Sequence, residues 1–185
     1  MNVILTSCGL ETKRIEDAFT EMLPKPPSEI RAMFIPTAAV FPDAIDVLPE
    51  CLNDLRRCGI KDENIVINDL HAELKQPIGD AFDVVYLCGG DTKYLLKRIN
   101  EQGFNQRLLE FISGGGIVMG VSAGSVIFAG NLPDNLGLLK CSLGVHVKEE
   151  NRTKAGPYPR DREEKINLGN RQAILFQGDS LVIIE

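Results

Sequence analysis

The chain has 185 residues, 44% of them hydrophobic and 25% charged, with a formal net charge of −6. This composition predicts one soluble domain, residues 1–185, with a substantial core. An acidic balance without any dense Lys/Arg cluster argues against a nucleic-acid partner. No apolar run approaches the ~20 residues that span a bilayer, so no membrane partner is expected. The opening Met1-Asn2-Val3-Ile4-Leu5 carries no basic region or cleavage site of a secretory signal. Five cysteines, Cys8, Cys51, Cys58, Cys88 and Cys141, include no C-x-x-C. That pattern argues against a disulfide framework or a zinc site and predicts reduced thiols in the cytoplasm.

In chain order, Asn2–Thr6 reads as a buried strand. Residues 11–23 place Ile15, Ala18, Phe19 and Met22 at helical spacing, and Pro24, Pro26 and Pro27 end that helix. Ala32–Ile35 is a second strand, closed by Pro36. Residues 44–57 carry Ile45, Leu48, Leu52 and Leu55 on one helical face, stopped by Gly59. Ile65–Ile67 and Val84–Leu87 are the third and fourth strands, with residues 69–76 as loop between them. Two helices follow, 92–100 and 105–112, split near Gly103, and Gly114-Gly115-Gly116 turns into a strand at 117–119. Beyond a polar stretch at 131–138, residues 141–145 predict another strand, and 148–165 read as surface loop. Residues 173–176 and 181–184, joined by Gln177-Gly178-Asp179-Ser180, read as a terminal hairpin. Strands alternating with helices predict an α/β fold, a mostly parallel sheet with helices on both faces.

The stretch with the most chemistry is Gly120-Val121-Ser122-Ala123-Gly124, set between two apolar runs. A G-x-S-x-G turn from strand to helix holds a serine hydroxyl clear of the backbone. Ser122 is therefore the candidate nucleophile. A serine needs a nearby base, and the chain has two histidines. His71 lies in the 69–76 loop and reads as a surface residue. His146 follows a strand and Gly144, at the kind of strand end where α/β sites gather. An acyl-transfer site also needs donors for an oxyanion: the backbone N–H of Ala123, and a second from a glycine-rich loop. Cys88-Gly89-Gly90-Asp91-Thr92 closes a strand and opens a helix, so it supplies such a loop. It also suits a phosphate-binding or plain tight turn, although no nucleotide-binding fingerprint follows a strand. No metal-ligand cluster and no cofactor motif is present in the sequence.

Cys88–Thr92 with Leu95-Leu96, Gly120–Gly124, Leu136-Gly137-Leu138 and Gly144-Val145-His146, taken in order, resemble the peptidase E (aspartyl dipeptidase) family of serine peptidases. Phe34-Ile35-Pro36-Thr37-Ala38-Ala39 and Asn170-Arg171-Gln172-Ala173-Ile174-Leu175 extend the resemblance over most of the chain. It implies a three-layer sandwich akin to class I glutamine amidotransferases (flavodoxin-like). It implies Ser122 as nucleophile, His146 as general base, and Gly90 and Ala123 as oxyanion donors. Gly89, Asp91 and Thr92 would contact a small peptide substrate, with no cofactor. Arg162, in Arg160-Asp161-Arg162-Glu163-Glu164, matches an arginine that recognises an acidic substrate side chain. Asp134, the one acid in 129–139, stands where the family carries its acidic triad member, with Glu149 and Glu150 as rivals. A homodimer is compatible with the reading.

Two other readings remain at this point. The segments at 129–139 and 165–170 are shorter than the family pattern, which suits a non-catalytic relative binding a small acidic metabolite. The order Ser122, Asp134, His146 also fits a small α/β-hydrolase esterase.

Overall fold

Short runs rich in Val, Ile and Leu become strands because branched side chains pack well on a pleated surface. In chain order they are β1 (Asn2–Thr6), β2 (Ala32–Ile35), β3 (Ile65–Ile67), β4 (Val84–Leu87), β5 (Ile117–Val121), β6 (Leu143–Gly144), β7 (Gly156–Pro159), β8 (Ile166–Asn167), β9 (Ala173–Gln177) and β10 (Ser180–Ile184). The computed structural model describes residues 1–72, 78, 79, 81–178 and 180–185. Eight strands form one sheet in the order β3-β2-β4-β5-β1-β9-β10-β7, and β6 pairs with β8 apart from it. The five strands from β3 to β1 run parallel, whereas β9, β10 and β7 add antiparallel pairs.

Alternation along the strands divides the core in two. Val3, Leu5, Val85, Leu87 and Val118 point to one face. There they meet Leu95, Leu96 and Ile99 of α4 (Thr92–Glu101) and Phe104 and Leu108 of α5 (Phe104–Ser113). Ile4, Val84, Tyr86 and Met119 point to the other face. They meet Ile15 and Phe19 of α1 (Lys13–Glu21) and Leu55 of α3 (Leu48–Arg57). The result is a three-layer α/β sandwich, as the alternation of elements predicts. Two short helices complete it, α2 (Pro42–Asp46) and α6 (Ala123–Val126).

Three elements differ from the sequence expectation. The helix expected over 44–57 is two, because α2 ends at Asp46, Val47 caps both helices, and Pro49 sits in the first turn of α3. A proline is tolerated there and not inside a continuous helix, where its missing N–H breaks the ladder. The loop expected over 148–165 contains β7, despite Pro157 and Pro159. β7 is an edge strand, where a proline costs no ladder bond on the open side. The strand expected over 141–145 contracts to the two residues of β6. The terminal hairpin forms as β9 and β10, with Asp179 of its turn outside the described residues. Residues 73–76 of the 69–76 loop also lie outside them. No helix among the described residues is long and apolar enough to cross a membrane.

β4, β5 and β1 lie side by side and parallel, so the loops after them converge at one end of the sheet. In open α/β sheets that end is where ligands bind.

Candidate active site

Ser122 sits between β5 and α6 with φ 50° and ψ −110°. A side chain there costs about 1–3 kcal/mol, and such strain gathers at functional turns. Its neighbours explain how the turn is held. Ser122 N–H donates to Thr6 O at 3.0 Å, and Ser122 O accepts from Ser125 and Val126 N–H at 2.9 and 3.0 Å. Gly120 and Gly124 are required by close packing. A Cβ on Gly120 would lie 2.5 Å from Gly124 O, and one on Gly124 would lie 2.3 Å from Leu87 O. The motif's glycines thus let β4, β5 and α6 approach closely enough to raise the serine.

His146 follows β6 with φ 55°. Together with Ser122 it is a non-glycine residue at positive φ among the described residues. Ser122 Oγ lies 2.9 Å from His146 Nε2, and His146 Nδ1 lies 2.9 Å from Asn170 Oδ1. Assigning the ring proton to Nδ1, where the Asn170 carbonyl accepts it, leaves the Nε2 lone pair facing the serine hydroxyl. A nucleophile, a base in reach and a group orienting that base are the three parts of an activated serine. The third part is an amide rather than a carboxylate.

The main chain of His146 is held by the buried Ser7, whose Oγ accepts from His146 N–H at 2.7 Å. Ser7 N–H in turn donates to Gln172 O at 3.3 Å, two residues beyond Asn170.

The glycine loop after β4 lies against the serine. A Cβ on Gly89 would be 3.1 Å from Ser122 Cβ and 3.7 Å from its Oγ. Gly90 has φ 134°, and a Cβ there would lie 2.0 Å from Ala38 O, so the position admits glycine alone. Asp91 caps α4, its side chain accepting from Tyr94 N–H at 2.9 Å, and Thr92 is the helix's first residue. Gly89 and Gly90 line the cavity with Ser122, whereas Asp91 and Thr92 belong to the helix start.

That cavity has a volume of about 450 Å³ and is also lined by Ser7, Cys8, His146 and residues of α2 and α3. Its charged residues are Glu11, Asp43, Glu50, Asp54 and Arg57. Arg57 donates to Asp54 Oδ1 at 2.7 Å and to Leu10 O at 3.1 Å. Asp54 also accepts from Tyr86 Oη–H at 2.7 Å and Leu10 N–H at 3.3 Å. Burial nonetheless raises its carboxyl above the usual range, against the Tyr86 and Leu10 bonds and the Arg57 charge. Burial likewise pushes the Cys8 thiol up to about 11 and Cys88 well up, so both stay protonated and weakly nucleophilic at neutral pH.

Other expected residues lie elsewhere. Asp134 does not meet His146. It lines a separate cavity with Lys93, Lys97 and Asn100, and its carbonyl accepts from Asn100 Nδ2 at 3.2 Å. Glu149 pairs with Arg152 at 2.5 Å. Arg162 is not among the residues lining the Ser122 cavity. It pairs with Glu164 at 2.8 Å and lies 4.8 Å over the Tyr158 ring. His71 is exposed, between Asp69 and the Tyr94 hydroxyl. The sequence assigns no functional role to Ser7, or to Asn170 beyond its place in the Asn170–Leu175 motif. A neutral amide carries no charge to mark it as an orienting group, and Ser7 stands in no motif.

The family model described as peptidase family S51 matches residues 3–184. Lin0382, an uncharacterized peptidase from Listeria innocua serovar 6a, is 29% identical over 102 residues, which is 54% of this chain and 47% of that protein. The chain thus matches about half the length of that curated relative. A crystal structure of a protein provisionally called peptidase E, from Listeria monocytogenes EGD-e, superposes with a TM-score of 0.76 at 22% identity, over 100% of this chain and 98% of that one. A peptidase from an acI-B1 actinobacterium gives a TM-score of 0.64 at 14% identity, over 98% of this chain and 86% of that one. Both likenesses are of fold.

Proposed function

The chain belongs to peptidase family S51, and on that footing we propose that it hydrolyses small peptides as a serine peptidase. The observation that carries this is the Asn170–His146–Ser122 relay, with 2.9 Å at each link, opening on the cavity. His146 Nε2 takes the Ser122 proton as Oγ bonds the scissile carbonyl carbon. The carbonyl electrons move to oxygen, where the Gly90 and Ala123 N–H groups receive the charge. Neither N–H has a protein acceptor among the described residues. His146 then returns the proton to the leaving amine, and water repeats the sequence on the acyl-enzyme. Asn170 holds the tautomer but adds no negative charge, so the imidazolium is less stabilised than beside a carboxylate.

A cavity of about 450 Å³ suits a short peptide. The preference for Asp-Xaa dipeptides implied by the resemblance would need a free guanidinium beside the serine. Arg57 is the arginine on the cavity wall, and it is engaged with Asp54. Glu11, Asp43 and Glu50 form no ion pair among the described residues. This wall suits the ammonium of a free amino terminus, and a neutral or basic first residue better than an acidic one. The five unpaired thiols fit a reducing, cytoplasmic setting. Exposed Phe41, Ile45 and Val47 near the cavity mouth give a second copy an apolar face to cover.

The test is hydrolysis of Asp-, Ala- and Lys-initiated dipeptides and chromogenic amides by wild type and Ser122→Ala. Ser122-dependent turnover, with Ala and Lys substrates ahead of Asp, is the expected result. Turnover that survives Ser122→Ala, or its absence on every amide, defeats the proposal. Saturable binding of aspartate without turnover would favour the non-catalytic reading.

A further inference from the structure

We propose that Ser7 is a positioning residue that keeps His146 and Asn170 in register with Ser122, an inference that rests on the serine-peptidase reading. The end of β1 touches all three members of the relay or the loops that carry them. Thr6 O accepts from Ser122 N–H at 3.0 Å and from Ser125 Oγ at 2.7 Å. The next residue's hydroxyl, Ser7 Oγ, accepts from His146 N–H at 2.7 Å, across 139 residues of sequence. The Ser7 N–H donates to Gln172 O at 3.3 Å, in the loop that presents Asn170. That loop is braced in turn by the buried Gln172. Its Oε1 accepts from Gly169 N–H at 3.0 Å and its Nε2 donates to Thr153 O at 3.0 Å.

The hydroxyl matters because of the backbone it grips. His146 holds a left-handed φ of 55°, which a residue with a Cβ leaves unless its surroundings fix it. The side chain itself is exposed, and its polar contacts among the described residues are with Asn170 and Ser122. The Ser7 Oγ is the acceptor for the His146 N–H. Without it that N–H loses its partner and the backbone relaxes towards negative φ. The imidazole then moves away from Ser122 and Asn170 together. Ser7 has no relative exposure and its role is met by a single strong acceptor, which alanine lacks and cysteine supplies weakly.

Three variants test this: Ser7→Ala, Ser7→Cys and Ser7→Thr. Ser7→Ala should lower kcat about 30-fold with KM within two-fold, because substrate contacts are untouched while the base is misplaced. The rate of Ser122 labelling by a fluorophosphonate should fall by the same factor. In proton NMR, the low-field Nδ1–H signal of His146, identified by its loss in His146→Ala, should disappear in Ser7→Ala. Ser7→Cys, close in shape but a poor acceptor, should be intermediate, and Ser7→Thr should restore kcat and the Nδ1–H signal. Where Ser7→Ala fails to fold, Ser7→Cys decides. A kcat and labelling rate within two-fold of wild type in the folded variant overturn the proposal, as does an equal loss in Ser7→Thr with an unshifted Tm. If wild type shows no Ser122-dependent turnover, the peptidase reading fails by itself. The Nδ1–H signal then still reports whether Ser7 sets the His146–Asn170 contact.

Discussion

The two histidines occupy superficially similar places. His71 lies between the Asp69 carboxylate and the Tyr94 hydroxyl, and His146 between the Asn170 amide and the Ser122 hydroxyl. By charge alone His71 has the better orienting partner. Its hydroxyl partner, however, is a phenol on a helix, and the cluster does not line the Ser122 cavity. His71 also has an ordinary backbone, whereas His146 and Ser122 both sit at positive φ. An acid–histidine–hydroxyl relay is thus not diagnostic by itself. What separates the two is where the hydroxyl opens and whether backbone strain has been held to aim it.

The largest expected effect is on activity at the nucleophile and its base. His146→Ala and Ser122→Ala should each lower kcat/KM on a dipeptide amide by about 10³-fold or more, while His71→Ala stays within about two-fold. A loss in His71→Ala to match His146→Ala would reverse the comparison. Next comes Gly90→Ala, whose Cβ would meet Ala38 O at 2.0 Å and displace the loop. Losing one oxyanion donor costs about 10²–10³ in kcat, to be read in steady-state kinetics with KM determined separately.

Asn170 sharpens the contrast further. Asn170→Ala should cost about 10-fold to 100-fold in kcat, and Asn170→Asp should match or exceed wild type, because a carboxylate keeps the acceptor and steadies the imidazolium. Were Asn170→Asp as slow as Asn170→Ala, the amide oxygen would not be what His146 needs. The smallest effect concerns stability around His71. Burial raises the Asp69 carboxyl, but the Thr37 and His71 hydrogen bonds outweigh it, and its pKa lies below the ordinary value. A depressed carboxylate stabilises the fold above the unfolded pKa, about 3.9, and that contribution is lost as pH falls through the lower folded value. Tm measured from about pH 5 down to about pH 2 should therefore fall less steeply in Asp69→Asn, with activity at neutral pH unchanged.

Much of this was legible in the sequence. Gly120, Gly124, Gly89 and Gly90 mark places where backbones approach closely, and such spacing survives in a linear text. His146 was legible because Gly144 and a strand end precede it. Asn170 was not, because its meeting with His146 depends on how the β8–β9 loop returns over the sheet, and an amide carries no charge to single it out. Asp134 attracted attention through charge and position between Ser122 and His146, yet the path of the chain carries it to another cavity. Arg162 likewise offered the right chemistry but stacks on Tyr158. The helix break at Val47 and the strand at Gly156–Pro159 were obscured by prolines, whose meaning depends on whether a position is a first turn or a sheet edge.

The place of β1 between β5 and β9 bears on the order of events during synthesis. One neighbour ends at Val121 and the other begins at Ala173, so β1 cannot be flanked on both sides until the residues through β9 are available. Contacts this distant in sequence form slowly and late. Ser122 can be shaped as soon as β1 and β5 pair, but Ser7 meets Gln172, and Asn170 meets His146, only when the last hairpin docks. A partly folded chain therefore carries Ser122 and His146 before Asn170 is in place to orient the imidazole, and on the serine-peptidase reading the relay is completed only when that hairpin docks.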